Sequence, residues 1–117
     1  MKKIGDNIII DQQNNITIIQ ISDNLGYDTA DDLRTAYNDV ETSHILVDLG
    51  QVTITTSRGM ATLLSIIVEG QEEERSFCLC NVSEPCMLII DAMNIMDYIE
   101  GLEIVDTLED GLTLFSA

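Results

Sequence analysis

The sequence has no tryptophan, one proline, one histidine and only five basic residues in 117. Each shortage excludes something. Five Lys and Arg against 21 Asp and Glu give a formal charge of −16. Phosphate-backbone binding needs cations in numbers, so nucleic acid and anionic membrane surfaces are disfavoured partners. The lone histidine, His44, and the Cys78-x-Cys80 spacing do not supply a zinc site's four ligands. No metal or other cofactor is expected. Three cysteines are too few, and odd in number, for a disulfide scaffold. Cys78 and Cys80 lie inside an apolar run and read as reduced, buried thiols. With Pro85 the only proline and no low-complexity linker, no hinge divides the chain, and residues 1–117 are expected to form one domain. No apolar run approaches the roughly 20 residues of a membrane-spanning helix. After the basic start, Ile8-Ile9-Ile10 is stopped by Asp11, too short an apolar region for a signal peptide. The expected location is the cytoplasm.

What the chain does have is a strand-and-helix rhythm in a composition that is 45% hydrophobic. Ile8-Ile9-Ile10 and Ile16-Thr17-Ile18-Ile19-Gln20-Ile21 are β-branched runs separated by turn formers, which reads as an opening antiparallel hairpin. A helix follows, capped by Asp28 or Thr29, with Ala30, Leu33, Tyr37 and Val40 on one face. His44–Leu49 is a compact apolar strand, and 50–56 reads as a loop of extended character. Ser57 is placed to cap a second helix whose buried stripe is Met60, Leu63, Leu64 and Ile67, and Gly70 is expected to stop it. Phe77–Val82 is another buried strand. Ser83 is placed to cap a third helix, with Pro85 in its first turn, where a missing N–H does no harm. Its inner face is Cys86, Ile89, Ile90 and Met93. Leu102–Val105 is a short last strand, and Thr107 with Asp110 caps a final helix facing inward through Leu108, Leu112 and Phe115.

The order β-β-α-β-α-β-α-β-α predicts an α/β domain with a small mixed sheet. The helices are amphipathic, not apolar all round, so they are expected mainly on one face, leaving part of the other open. Leu63, Ile67, Leu79 and Ile104 are expected to be buried together. The excess acidity fits either a solvated surface or steering toward a basic partner.

Three stretches carry a resemblance to a known family. They are Ile45-Leu46-Val47-Asp48-Leu49, the segment from Val52 to Leu64 containing Thr56-Ser57-Arg58-Gly59, and the closing unit from Leu79-Cys80-Asn81-Val82-Ser83 to Leu102–Leu112. In order and spacing they resemble the STAS domain shared by sulfate transporters and bacterial anti-sigma factor antagonists, over nearly the whole chain. The resemblance implies a non-enzymatic regulator of transcription that works by docking proteins. In the family's switchable members the first serine of Asp-Ser-Ser/Thr-Gly is phosphorylated by a partner kinase that is also the anti-sigma factor. Ser57 matches that serine. The implied partners are an anti-sigma factor of serine-kinase type and a phosphatase. A fixed scaffold or adaptor in a larger signalling complex is the alternative, and oligomeric state is left open.

By that resemblance the contact surface comprises Asn24, Leu25, Gly26, Tyr27, Thr56, Ser57, Arg58, Gly59 and Met60. A phosphate at Ser57 would sit at a helix N-terminus, which favours an anion. Without modification Ser57 is simply an N-cap. Gly59 is suited to close approach by a partner's backbone. Two departures stand out: Thr56 replaces the family's Asp before the serine, and Gly26 replaces the Asp of the loop before the first helix. Arg58 replaces the second Ser/Thr; it fits either pairing with a phosphate or facing solvent. His44, Asp48 and Ser57 supply the residue types of a hydrolase triad, but no Gly-x-Ser-x-Gly elbow accompanies them.

Overall fold

A computed structural model describes residues 1–116. Strands β1 (Lys2–Ile4), β2 (Ile8–Gln13) and β3 (Ile16–Leu25) form an antiparallel meander. Helix α1 (Tyr27–Asn38) then leads to β4 (His44–Thr55), and α2 (Ser57–Glu72) to β5 (Ser76–Cys80). Helices α3 (Glu84–Ala92) and α4 (Ile95–Tyr98) precede β6 (Glu103–Val105), and α5 (Leu108–Ser116) closes the chain. The sheet order is sequential, β1 to β6, with β3 through β6 parallel. Helical crossovers make that pairing possible.

Strand alternation divides the core into two layers. Ile45, Val47 and Leu49 of β4, with Phe77 and Leu79 of β5, face a large cluster built with α1, α2 and α3. Leu46, Cys78 and Cys80 point to the opposite face, where Leu108, Leu112 and Phe115 of α5 cover them. Three long helices therefore lie on one face and one on the other. The mixed sheet, and its helices mainly on one side, are as the sequence predicts. Leu63, Ile67 and Leu79 are buried in the main cluster, and Ile104 packs against it half-buried.

Several local expectations are corrected. β1 and α4 were not expected; β1 has a single core residue, Ile4. The segment 50–56 is no loop but mostly a continuation of β4 through Thr55. Helix α1 begins at Tyr27, ahead of Asp28 and Thr29, and its N-cap Gly26 offers no side-chain bond. Ala36 takes the buried position expected of Ala30, and in α2 Ile66 is buried where Leu64 is only half-buried. Gly70 does not stop α2, which runs to Glu72. A Cβ there would lie 2.3 Å from the Phe77 ring, so Gly70 lets α2 settle onto β5. Ser83 stands at the N-cap of α3 without a side-chain cap bond. At α5, Thr107 does cap, accepting from the Asp110 N–H at 3.1 Å.

Candidate protein-docking site

The ends of β3 and β4 build the region around Ser57. Register between them shifts twice: Gln20 pairs Asp48 but Ser22 pairs Gln51, and Asp23 pairs Val52 but Asn24 pairs Ile54. Each shift gives β4 one extra residue. Bulges of this kind bend a strand and re-aim its side chains. Val52 is buried while Ile54, two residues on, is 60% exposed, because the bulge between them reverses the alternation.

A shared clamp then launches both helices. The Leu25 carbonyl accepts from the Thr56 N–H at 3.1 Å and from the Thr55 hydroxyl at 3.2 Å. Nearby, the Asn24 carbonyl accepts the Thr29 hydroxyl, and Asn7 Nδ2 donates to Thr29 Oγ1 at 3.2 Å. These bonds fix the segment before α1 against the start of α2. The fit leaves no room for a side chain at Gly59, where a Cβ would stand 2.1 Å from the Leu25 carbonyl oxygen and 2.8 Å from the Gly26 nitrogen. Gly59 thus serves close approach within the chain.

Thr56, not Ser57, caps α2: its Oγ1 accepts from the Gly59 N–H at 3.0 Å. The Met60 N–H bonds the Thr56 carbonyl at 3.0 Å. Ser57 is consequently the first residue of the helix, with its side chain exposed. The N–H groups of Ser57 and Arg58 have no acceptor among the described residues. First-turn N–H groups of this kind, with the helix dipole, attract anions.

Arg58 lies over the Tyr27 ring, its guanidinium carbon 4.4 Å from the centroid, a cation–π pair. Elsewhere Lys2 pairs Asp39, Arg34 pairs Glu69, and Arg75 donates to the Val40 carbonyl. Arg58 makes no ion pair among the described residues. In a chain this acidic it is a local positive spot beside Ser57.

The structure sorts the nine expected contact residues by accessibility. Asn24, Tyr27, Thr56, Ser57 and Arg58 are exposed. Leu25, Gly26, Gly59 and Met60 are buried and hold the others in place. Sequence reasoning missed Ile54, because an alternating pattern gives no warning of a bulge. It also missed the stacking of Arg58 on Tyr27, residues 31 positions apart by their numbers, which only the strand register brings together. His44, Asp48 and Ser57 do not converge. His44 begins β4 and Ser57 follows its far end, and His44 stacks on Phe115 at 4.7 Å.

A six-stranded mixed sheet with sequential strands, three long helices on one face and one on the other defines a single-layer-sheet α/β domain. The STAS domain model matches residues 7–111, and the chain belongs to that family. A search among curated proteins found no match. Solved structures share the fold. An anti-sigma factor antagonist from Mycobacterium paratuberculosis superposes with a TM-score of 0.76 at 18% identity, over 94% of this chain and 93% of that one. The anti-sigma factor antagonist SpoIIAA in its unphosphorylated form gives 0.75 at 13% identity, over 93% and 96%. A sulfate transporter family protein from Wolinella succinogenes gives 0.76 at 15%, over 89% and 87%. At these identities the likeness is one of fold. Among the described residues, no helix is long and apolar enough to cross a membrane.

Proposed function

We propose that this chain is a cytoplasmic regulatory module of the anti-sigma factor antagonist kind, which docks a protein partner through the surface around Ser57. The supporting observation is exposed Ser57 with two N–H groups that lack an acceptor among the described residues, the adjoining Arg58–Tyr27 stack, and exposed Ile54 on β4 opposite Asn24. Tyr27, 64% exposed, and Ile54 supply apolar area; Arg58 adds a charge. Aromatic residues and arginine are the side chains on which protein interfaces most often depend. The partner is an anti-sigma factor of serine-kinase type.

Ser57 is the switch. The kinase transfers the γ-phosphoryl of ATP to Ser57 Oγ, the hydroxyl proton leaves to the kinase's base, and ADP is released. A phosphatase reverses the state with water, freeing inorganic phosphate. The modification adds about −1.5 to −2 charges. On this chain it falls beside the N–H groups of Ser57 and Arg58, which tolerate an anion, so folding changes little. At a closed interface the same charge needs a cationic mate or costs several kcal/mol to desolvate, so docking weakens.

The test compares Ser57→Ala, Ser57→Asp and wild type for thermal stability and for affinity to the kinase-like partner recovered from native cells by cross-linking. Tight binding by wild type and alanine, weak binding by aspartate and equal stability support the switch. Gly26 and Thr56, in place of the acids of switchable relatives, favour a second reading, a fixed adaptor. Equal affinity in all three forms selects it. Association with a basic partner face slows as salt rises.

A further inference from the structure

A second site lies away from Ser57. At the carboxyl ends of β5 and β6, beside the middle of β4, is an open groove of about 590 Å³, within the range of small-ligand pockets. Its position follows from the topology. After β5 the chain turns to α3 on the face of the main core, whereas after β6 it turns to α5 on the opposite face. Adjacent parallel strands whose connections leave to opposite sides part a crevice between them, the usual ligand site of open α/β sheets.

The chemistry centres on Asp48. It is 8% exposed and lines the groove. Its Oδ1 accepts from the Gly50 N–H at 2.9 Å and from Asn81 Nδ2 at 3.3 Å. Its Oδ2 has no partner among the described residues. Asn81 holds a left-handed conformation, φ 51°, which turns the chain directly after β5 and sets its amide against Asp48. Asp106 adds a second carboxylate at the rim, and no Lys or Arg lines the groove. Met87 and Ile104, partly buried against the main core, add a small apolar patch. The Asp48 charge is felt inside: burial first, then Asp48, pushes the neighbouring Cys80 thiol up to about 12.

A carboxylate fixed by two hydrogen bonds, with its second oxygen open to a groove that also carries Asp106 and a small apolar patch, suits a cation on a short hydrocarbon stem. We infer that this groove binds an alkylammonium or alkylguanidinium group, presented by a free small amine or by a lysine or arginine side chain of a peptide. The site is independent of the Ser57 surface and stands whether or not that surface docks a partner.

The test follows backbone amide NMR shifts during titration with n-butylguanidinium, with an acetylated and amidated Gly-Arg-Gly peptide, and with neutral butylurea. Saturable shifts are expected at Gly50, Asn81, Val105 and Asp106 with either cation and not with the urea. The tighter of the two cations identifies the source. Asp48→Asn keeps an oxygen for Gly50 and Asn81 but replaces Oδ2 with a donor, and should weaken binding about tenfold or more. Asp106→Asn, at the surface, should weaken it less, and covers the case in which Asp48→Asn fails to fold. Shifts spread over the whole acidic surface, equal shifts with butylurea, or unchanged affinity in both variants would overturn the assignment.

Discussion

Replacing Gly59 with alanine sets two effects against each other. Helix propensity favours the change by roughly 0.5–1 kcal/mol, because glycine in a helix costs backbone entropy. The clamp opposes it. The new methyl would meet the Leu25 carbonyl oxygen at 2.1 Å, its carbon at 2.5 Å and the Gly26 nitrogen at 2.8 Å. All three are backbone atoms held by the Thr55 and Thr56 bonds, so no side chain can swing aside. Overpacking of this kind costs about 1–3 kcal/mol and more where the backbone must move. The clash should win, with a net loss of about 1–3 kcal/mol. For a chain of this size that lowers Tm by about 4–12 °C. Gly26→Ala is the matched control. Its methyl would meet only the Asn24 side chain, at 2.6 Å from Oδ1, which is exposed and free to rotate, and its φ of −138° suits any residue. A change within about 0.5 kcal/mol is expected there. Thermal and urea unfolding followed by circular dichroism would measure both. If Gly59→Ala proved as stable as wild type, α2 would not be seated on the Leu25 carbonyl, and the derived placement of Ser57 beside Tyr27 would fail with it.

Thr56→Ala should lose about 1 kcal/mol through the missing cap on the Gly59 N–H, while Thr56→Asp should keep most of it; urea midpoints separate the two. Burial pushes the Cys78 thiol up to about 11 and, with Asp48, the Cys80 thiol to about 12. An unfolded cysteine ionises near pH 8.5, so above that pH the unfolded chain releases protons the folded one keeps. Stability should therefore be insensitive to these thiols below about pH 8 and fall as pH rises toward 11–12. Cys78→Ala/Cys80→Ala should flatten that alkaline slope. Native-state alkylation of both thiols at pH 8 should be far slower than in urea.

The fold was largely legible because its strands and helices keep their apolar patterns. Ile45–Leu49 and Phe77–Cys80 are short, nearly continuous apolar runs of buried-strand length, and the stripe through Met60, Leu63 and Ile67 recurs at helical spacing, so the element order followed. Legibility ended where tertiary pairing overrides local pattern. Gly50 and Gln51 look like a strand's end, yet pairing with β3 carries β4 through them by way of two bulges. Thr56 and Ser57 are both good cap residues. The choice between them is made by the Thr56 N–H bonding Leu25, far away in sequence. The candidate surface was half legible for the same reason. Ser57 and Arg58 stand out in a local motif. The burial of Gly59 and Met60, the exposure of Ile54 and the stack on Tyr27 depend on how β3 and β4 end together.

The central claim is that partners dock on the surface formed by Tyr27, Ile54, Ser57 and Arg58. A photo-crosslinking amino acid placed singly at Tyr27, at Ile54, and at Asn14 in the β2–β3 turn tests it directly, in cells that express the chain. Tyr27 and Ile54 should give the same crosslinked protein, abolished by Ser57→Asp and retained by Ser57→Ala, with nothing specific from Asn14. A partner captured from Asn14 alone, with none from Tyr27 or Ile54, would contradict the account.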